Sequence, residues 1–216
     1  MWGLSYICID GSDPMKVFID LFSGLGGAAA AFDADPSWTT IKIDNNPILA
    51  EHNRGLILMD LAQVDEVIHA LTLMLHKIDD EHGVEQVVLW MSPPCNEFSF
   101  ANRDRPEEPD LTLLDACIQY VHRLQTDFWI IENVHGAVEI FNDEIGFTPT
   151  QKIGPVVLWG HFPLIPFRTR DDWKHRKMEA KGSRLLRPNF RAKIPYPISE
   201  GLLTAIDHQQ TLDAYW

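Results

Sequence analysis

Lys16-Val17-Phe18-Ile19-Asp20-Leu21-Phe22 runs directly into Ser23-Gly24-Leu25-Gly26-Gly27. The first seven residues are rich in Val, Ile and Phe, with no polar alternation at the centre. They read as a short strand buried on both faces of a sheet. The Gly cluster after them lets backbone approach a ligand without interference from Cβ atoms. It is not a phosphate loop, because no Gly-Lys-Ser/Thr comes next, and it lacks the dinucleotide spacing. A buried strand ending in such a turn is how an open parallel sheet presents its ligand edge.

Further apolar runs extend the pattern. Thr39–Ile43, Leu56–Met59, Val87–Met91, Phe128–Ile131 and Val156–Trp159 are strand candidates. Ala62–Asp80 places Val64, Val67, Ile68, Leu71, Leu75 and Ile78 at helical spacing, and Leu111–Leu124 is a second amphipathic helix. Strands alternating with helices predict an α/β fold with a doubly wound, mostly parallel sheet. The Pro- and charge-rich stretch Asn102–Asp110 predicts a mobile loop.

Ligands bind at the carboxyl ends of parallel strands, so the residues just past each apolar run are the informative ones. Asp44 stands after the second and Asp60 after the third; Ser92-Pro93-Pro94-Cys95 comes after the fourth and Glu132-Asn133-Val134 after the fifth. Asp44 suits the two hydroxyls of a ribose, and Asp60 suits an adenine amino group. Either Asp alone is more often a helix cap. Two prolines stiffen the chain ahead of Cys95 and remove two N–H groups, leaving a rigid platform for one side chain. A thiol there reads as a nucleophile that needs only partial ionisation; the plainer reading is a small buried Cys in a Pro turn. A carboxyl at the mouth of an apolar strand, as at Glu132, is desolvated in a way that favours its protonated form. That suits a group sharing a proton with a ring nitrogen, against the alternative of a salt-bridged Glu. Cys8 and Cys117 read as packing residues.

The 216 residues are 45% apolar and include 7 Trp and 11 Phe, enough for one sizeable domain and a small appendage. No apolar run approaches the roughly 18 residues of a membrane span, and no basic-then-apolar leader opens the chain. Three scattered Cys predict no disulfide framework and a reduced, cytoplasmic setting. The net charge of -13 argues against a nucleic acid partner until its distribution is read. From Arg168 to Lys193 ten Lys/Arg face three acids, a local +7 that leaves -20 on the remainder. A basic block on an acidic body fits phosphate contact by one face; its bland counterpart is a solvated helix.

These residues resemble the motifs of the DNA cytosine-5 methyltransferases, especially the short forms of bacteriophages. Asp20–Gly27 is similar to the family's first motif, Pro93-Pro94-Cys95 with Phe98-Ser99 to its catalytic motif, and Glu132-Asn133-Val134 to its glutamate motif. Gly154–Pro163, with Leu158-Trp159-Gly160, and Ile194–Pro197 are looser echoes of the last motifs. The likeness spans about residues 16–206. It implies the class I S-adenosylmethionine-dependent methyltransferase fold. Residues 1–15 would be an N-terminal extension, 16–162 the catalytic core, 163–192 a minimal basic target-recognition segment, and 193–216 a C-terminal helix returning to the core.

The resemblance also implies roles. Cys95, Pro94, Glu132 and Asn133 would act on a cytosine flipped out of the duplex, with Cys95 adding to C6, Glu132 holding the N3/N4 edge and Asn133 ordering the loop. Asp20, Phe22, Gly24, Gly26, Gly27, Asp44, Asn45, Asp60, Leu61, Pro93 and Lys193 would hold S-adenosylmethionine, with no metal. Ser99, Arg103, Arg105, Arg168, Arg170, Trp173, Lys174 and Arg176 would contact DNA, bound by a monomer in the cytoplasm, the host's if the chain is phage-encoded. No membrane partner is expected.

Three departures stand out. The family's Gln-x-Arg-x-Arg is Gln151-Lys152-Ile153-Gly154-Pro155 here, without either arginine, so Lys152, Arg103 or Arg105 would have to substitute. The family's large target-recognition domain is missing. Ala192-Lys193 stands where the last motif has Gly-Asn. A lysine beside the donor's methionine end would favour a carboxylate-bearing donor, carboxy-S-adenosylmethionine, and a 5-carboxymethylcytosine product. Two other readings remain open: methylation of RNA, and a catalytically silent binding protein of the same fold.

Overall fold

The computed structural model describes residues 14–166 and 186–213. Of the DNA-contact candidates, Arg168, Arg170, Trp173, Lys174 and Arg176 lie outside the described residues.

Seven strands form one sheet: β1 (Met15–Leu21), β2 (Trp38–Asp44), β3 (Leu56–Leu58), β4 (Val84–Met91), β5 (Phe128–Val134), β6 (Gln151–Ile153) and β7 (Val156–His161). Their order is β3-β2-β1-β4-β5-β7-β6. Every pairing among β1 to β5 is parallel, while β7 runs antiparallel to both β5 and β6. The expected α/β, mostly parallel architecture is what the chain adopts. The order reverses between β1 and β4, the switch point at which a ligand crevice opens.

Five α-helices, with three short 3-10 turns, complete the described fold: α1 (Val64–His82), α2 (Thr112–Arg123), α3 (Val138–Ile145), α4 (Arg187–Ala192) and α5 (Tyr196–Asp213). Helix α1 buries Val64, Val67 and Leu71 against the sheet, carries Asp65 and Glu66 in its first turn, and stops at Gly83 with φ 75°. Acids at the start complement the helix dipole, and glycine accepts the left-handed turn at the end. On this side of the sheet the core joins α1, α2 and α3 through Leu71, Leu114, Tyr120 and Phe141. On the other side Ile198, Leu202 and Ile206 of α5 pack on Phe18, Trp90 and Ile130. Ser199 ties α5 to the segment after the Gly turn, accepting from the Ala31 N–H at 2.9 Å and donating to the Ala28 carbonyl. Val17, Phe18, Ile19 and Leu21 are fully buried, as a central strand covered on both faces requires.

Two details differ from the sequence reading. Glu132, Asn133 and Val134 do not come after β5 but form its last three residues, pairing with Leu158, Val157 and Val156. Their ladder to β7 continues after β4 has ended, so the site lies where one neighbour of β5 is missing. Phe22, read as the end of β1, has already left the strand, with φ 58°.

Candidate active site

The Gly turn is organised from below. Asp20 is 1% exposed, accepts the Ser23 hydroxyl at 2.8 Å, and has its pKa pushed up to about 7 by burial. Asp44 adds to that rise, while the Ser23 bond and the Lys42 charge oppose it. Asn53, buried in the turn before β3, donates to Ser23 Oγ at 3.0 Å and to the Gly24 carbonyl at 3.1 Å. At the end of β2, Asp44 Oδ2 accepts the Gly24 N–H and Oδ1 the Asn46 N–H, both at 2.9 Å. Gly26, at φ 67°, leaves no room for a Cβ beside Asn53. A Cβ at Gly27 would lie 2.6 Å from the Ile194 backbone and 2.8 Å from Lys193 Cγ, so the segment before α5 packs directly on the turn.

This cradle fits a nucleoside donor. Open space borders Gly24, the Asp44 carboxylate stands at the next strand end, and Asn45 and Asp60 are exposed beyond it. Asp60 Oδ1 accepts the Ala62 N–H at 3.0 Å, the helix-start role its residue type allowed. Two candidates sit differently from expectation. Asp20 lies wholly beneath the turn and acts on the turn, not on its open side. Leu61 is 2% exposed, packed in the core, with its carbonyl taken by the Tyr120 hydroxyl at 2.8 Å, so neither its side chain nor its carbonyl faces the edge.

The Cys95 loop leaves the adjacent strand, β4. Pro93 is buried, Pro94 exposed and Cys95 partly exposed. The Cys95 carbonyl accepts the N–H groups of Phe98 and Ser99 at 3.1 and 2.9 Å, coiling the loop into a tight turn. Register places Met91 beside Ile131, so the Cys95 loop leaves the end of β4 alongside Glu132, which stays paired with β7. Burial pushes the Cys95 thiol pKa up, the Glu132 charge pushes it further, and Arg191 on α4 pulls it back. Cys95 and Glu132 are therefore electrostatic neighbours, and both the burial and that charge favour the protonated thiol. Asn133, 1% exposed, donates to the Pro93 carbonyl at 3.0 Å and joins the two strand ends.

Beyond Cys95, the loop docks on the turn after β5. A Cβ at Gly136 would sit 1.9 Å from the Phe98 carbonyl oxygen, so only glycine allows this approach. The stretch expected to be a mobile loop is braced by Asn102 to the Asn96 carbonyl at 2.8 Å and by the Asp110 N–H to Glu97 at 2.6 Å. Arg105 covers the Phe100 ring at 4.8 Å, while Arg103 is exposed. Lys152, one candidate for the missing arginines, lies on the outermost strand, opposite Val157 of β7. Among the described residues Arg191 is a cation whose charge lowers the Cys95 pKa, and local motif reading missed it. So did Asn53 and Gly136 escape it, because their roles depend on contacts far apart in sequence.

Among the described residues no group of three or more His, Cys, Asp or Glu could hold a metal ion. None of the described helices is long and apolar enough to cross a membrane.

A seven-stranded sheet with only β7 reversed, a Gly turn after β1 and an acid closing β2 define a class I methyltransferase fold. Residues 16–145 match the family model for C-5 cytosine-specific DNA methylase, and the chain belongs to that family. Among solved structures, the methyltransferase EhMeth of Entamoeba histolytica is 18% identical, with a TM-score of 0.40, over 62% of this chain and 43% of its own. A Galdieria sulphuraria protein assigned as a sarcosine dimethylglycine methyltransferase is 12% identical, with a TM-score of 0.29, over 88% of this chain and 74% of its own. The chain thus spans less than half the length of EhMeth. No curated protein matches it.

Proposed function

We propose that the protein transfers a methyl group from S-adenosylmethionine to C5 of cytosine in DNA, acting as a monomer on a flipped base. The observation that carries this is the pairing of Cys95 with Glu132 at adjacent strand ends, beside the Gly24–Asp44 cradle. The donor, held by the Gly turn, Asp44, Asn45, Asp60 and Pro93, supplies an electrophilic methyl group. Cys95 Sγ forms a bond to C6, and Glu132 shares a proton with N3, so the electron pair of the C5–C6 bond becomes available at C5. After methylation, loss of the C5 proton to a solvent base restores the double bond and expels Cys95. The electrostatics favour this order of events. While Glu132 is charged it opposes thiolate formation. A proton taken up from solvent at Glu132 as cytosine binds, and shared with N3, removes that charge, so proton uptake on binding eases ionisation of Cys95.

The test is trapping on an oligonucleotide containing 5-fluorocytosine, which cannot lose its C5 substituent as a proton. A covalent adduct is expected from the wild type with donor present and none from Cys95→Ala. An adduct formed equally well by Cys95→Ala would remove Cys95 from the chemistry. Parallel assays on duplex DNA, single-stranded DNA and tRNA test the RNA reading, and absence of any adduct favours a silent binding protein.

The carboxymethyl reading draws on one observation, the packing of Lys193 against Gly27 of the donor turn. An ammonium there would complement a donor carboxylate. Competition between the two donors, with mass spectrometry of the product nucleosides, decides it. Only 5-methylcytosine in the products, or no change in preference on Lys193→Asn, ends that reading.

A further inference from the structure

Asp20 on β1 and Lys42 on β2 are partners in register, and both are buried. The Lys42 ammonium is committed to a different acid, lying 2.7 Å from Asp33 Oδ2. Asp33 also accepts the Thr40 hydroxyl. One buried ammonium thus faces two carboxyl groups, and Asp33 holds it. Asp20 is held by neutral donors, the Ser23 hydroxyl at 2.8 Å and the Ala29 N–H, with the like charge of Asp44 nearby on β2. Trp90 flanks Asp20 on β4, Ser199 of α5 binds the adjoining segment at Ala28 and Ala31, and Lys193 packs on Gly27. A buried carboxyl without a cation of its own favours its neutral form, and an added positive charge nearby reverses that preference.

The donor brings such a charge. S-adenosylmethionine and the S-adenosylhomocysteine left after transfer differ by the methyl group and by the positive charge of the sulfonium. Asp20 is connected to the cradle through Ser23, whose Oγ accepts the Asn53 amide at 3.0 Å, and that amide also donates to the Gly24 carbonyl at 3.1 Å. We propose that Asp20 releases its proton to solvent as the cationic donor binds and takes one back when transfer leaves a neutral thioether, so that the cradle tells donor from product by charge. An ionised Asp20 accepts the Ser23 hydroxyl more strongly, which firms the chain of bonds to Gly24. Asp20 is a positioning residue, acting through the turn from beneath it. This rests on the reading of the chain as an S-adenosylmethionine-dependent methyltransferase.

The experiment titrates the full chain, without DNA, with each of the two ligands in a calorimeter. Two buffers of different ionisation enthalpy are used at a pH near the Asp20 value of about 7, so that the protons released are counted. Wild type is expected to release about 0.3–0.5 proton per S-adenosylmethionine and close to none with S-adenosylhomocysteine. Its preference for the cationic ligand should grow about three-fold or more as pH rises from about 5.5 to about 7, the effect of roughly a one-unit fall in pKa on binding. Asp20→Asn keeps an acceptor for Ser23; it should release no proton and show a preference that stays flat with pH. Should that variant not fold, the wild-type proton count and pH profile decide between the outcomes. S-adenosylmethionine binding without proton release, equal release with both ligands, or release that persists in Asp20→Asn overturns the proposal. Binding of neither ligand removes the donor reading itself, and this proposal with it.

Discussion

Asn133 donates its amide to the Pro93 carbonyl at 3.0 Å, a buried bond that ties the end of β5 to the Cys95 platform on β4. Its own Oδ1 takes the Val134 N–H at 2.9 Å, which holds the amide in that orientation. Proline offers no N–H, so the Pro93 carbonyl is the platform's means of attachment at that residue. Asn133→Ala strands a buried acceptor and is expected to cost about 1–3 kcal/mol in urea unfolding. Adduct formation should slow beyond what that stability loss explains, because Cys95 and Glu132 lose their common reference. An Ala variant with wild-type trapping rates would separate Asn133 from the site.

The ionisation of Cys95 gives a second prediction. Burial and Glu132 raise its pKa and Arg191 lowers it. Alkylation of Cys95, monitored by mass spectrometry of its peptide, should therefore titrate above the ordinary thiol range. Glu132→Gln should move the midpoint down, and Arg191→Gln should move it up. Shifts in the reverse directions, or none, would mean that these charges do not act on the thiol.

Asp20 predicts a pH dependence of stability. Its folded pKa of about 7 lies above the ordinary 3.8, so between these values the native state binds a proton that the unfolded chain has released. The resulting contribution is full below the unfolded value, declines as pH rises, and is gone above about pH 7. Asp20→Asn keeps an acceptor for Ser23 and should flatten the wild-type decline by a few kcal/mol between pH 4.5 and 8, an approximate range. Parallel curves for the two proteins in denaturant titrations would show that Asp20 does not bind the proton.

Gly136→Ala tests the docking of the loop. The added methyl group would meet the Phe98 carbonyl oxygen at 1.9 Å, backbone against backbone, so the loop must lift away. Adduct formation is expected to drop by about two orders of magnitude, since a 1 Å misplacement alone can cost that much. Donor affinity, set at the Gly24–Asp44 cradle, should change little in calorimetry.

The edge that gathers the candidate residues was legible because strand ends announce themselves in sequence. Asp44, Cys95 and Glu132 each close an apolar run, and parallel strands gather such ends on one side. The reversal of β7 was not legible, since Val156–Trp159 reads the same in either direction. Nor was the depth of Asp20 or the burial of Leu61, which depend on the segments packed above them. Arg191 and Asn53 carry no local signal. Arg191 acts on a residue 96 positions earlier, and Asn53 reaches back 29 positions to Gly24. Periodicity and turn chemistry are short-range, and contacts of this kind are made only by the tertiary fold.

The packing of Lys193 and Ile194 onto Gly27 bears on how the protein is made. Synthesis is vectorial, and the Gly turn leaves the ribosome long before the residues that cover it. At bacterial or eukaryotic elongation rates the interval is on the order of ten seconds or more. Through that time the nascent turn lacks its cover, and Phe18 and Trp90 lack the α5 residues that bury them. A nascent chain released before residue 194 would carry every motif of the ligand edge and still lack the contact that closes it.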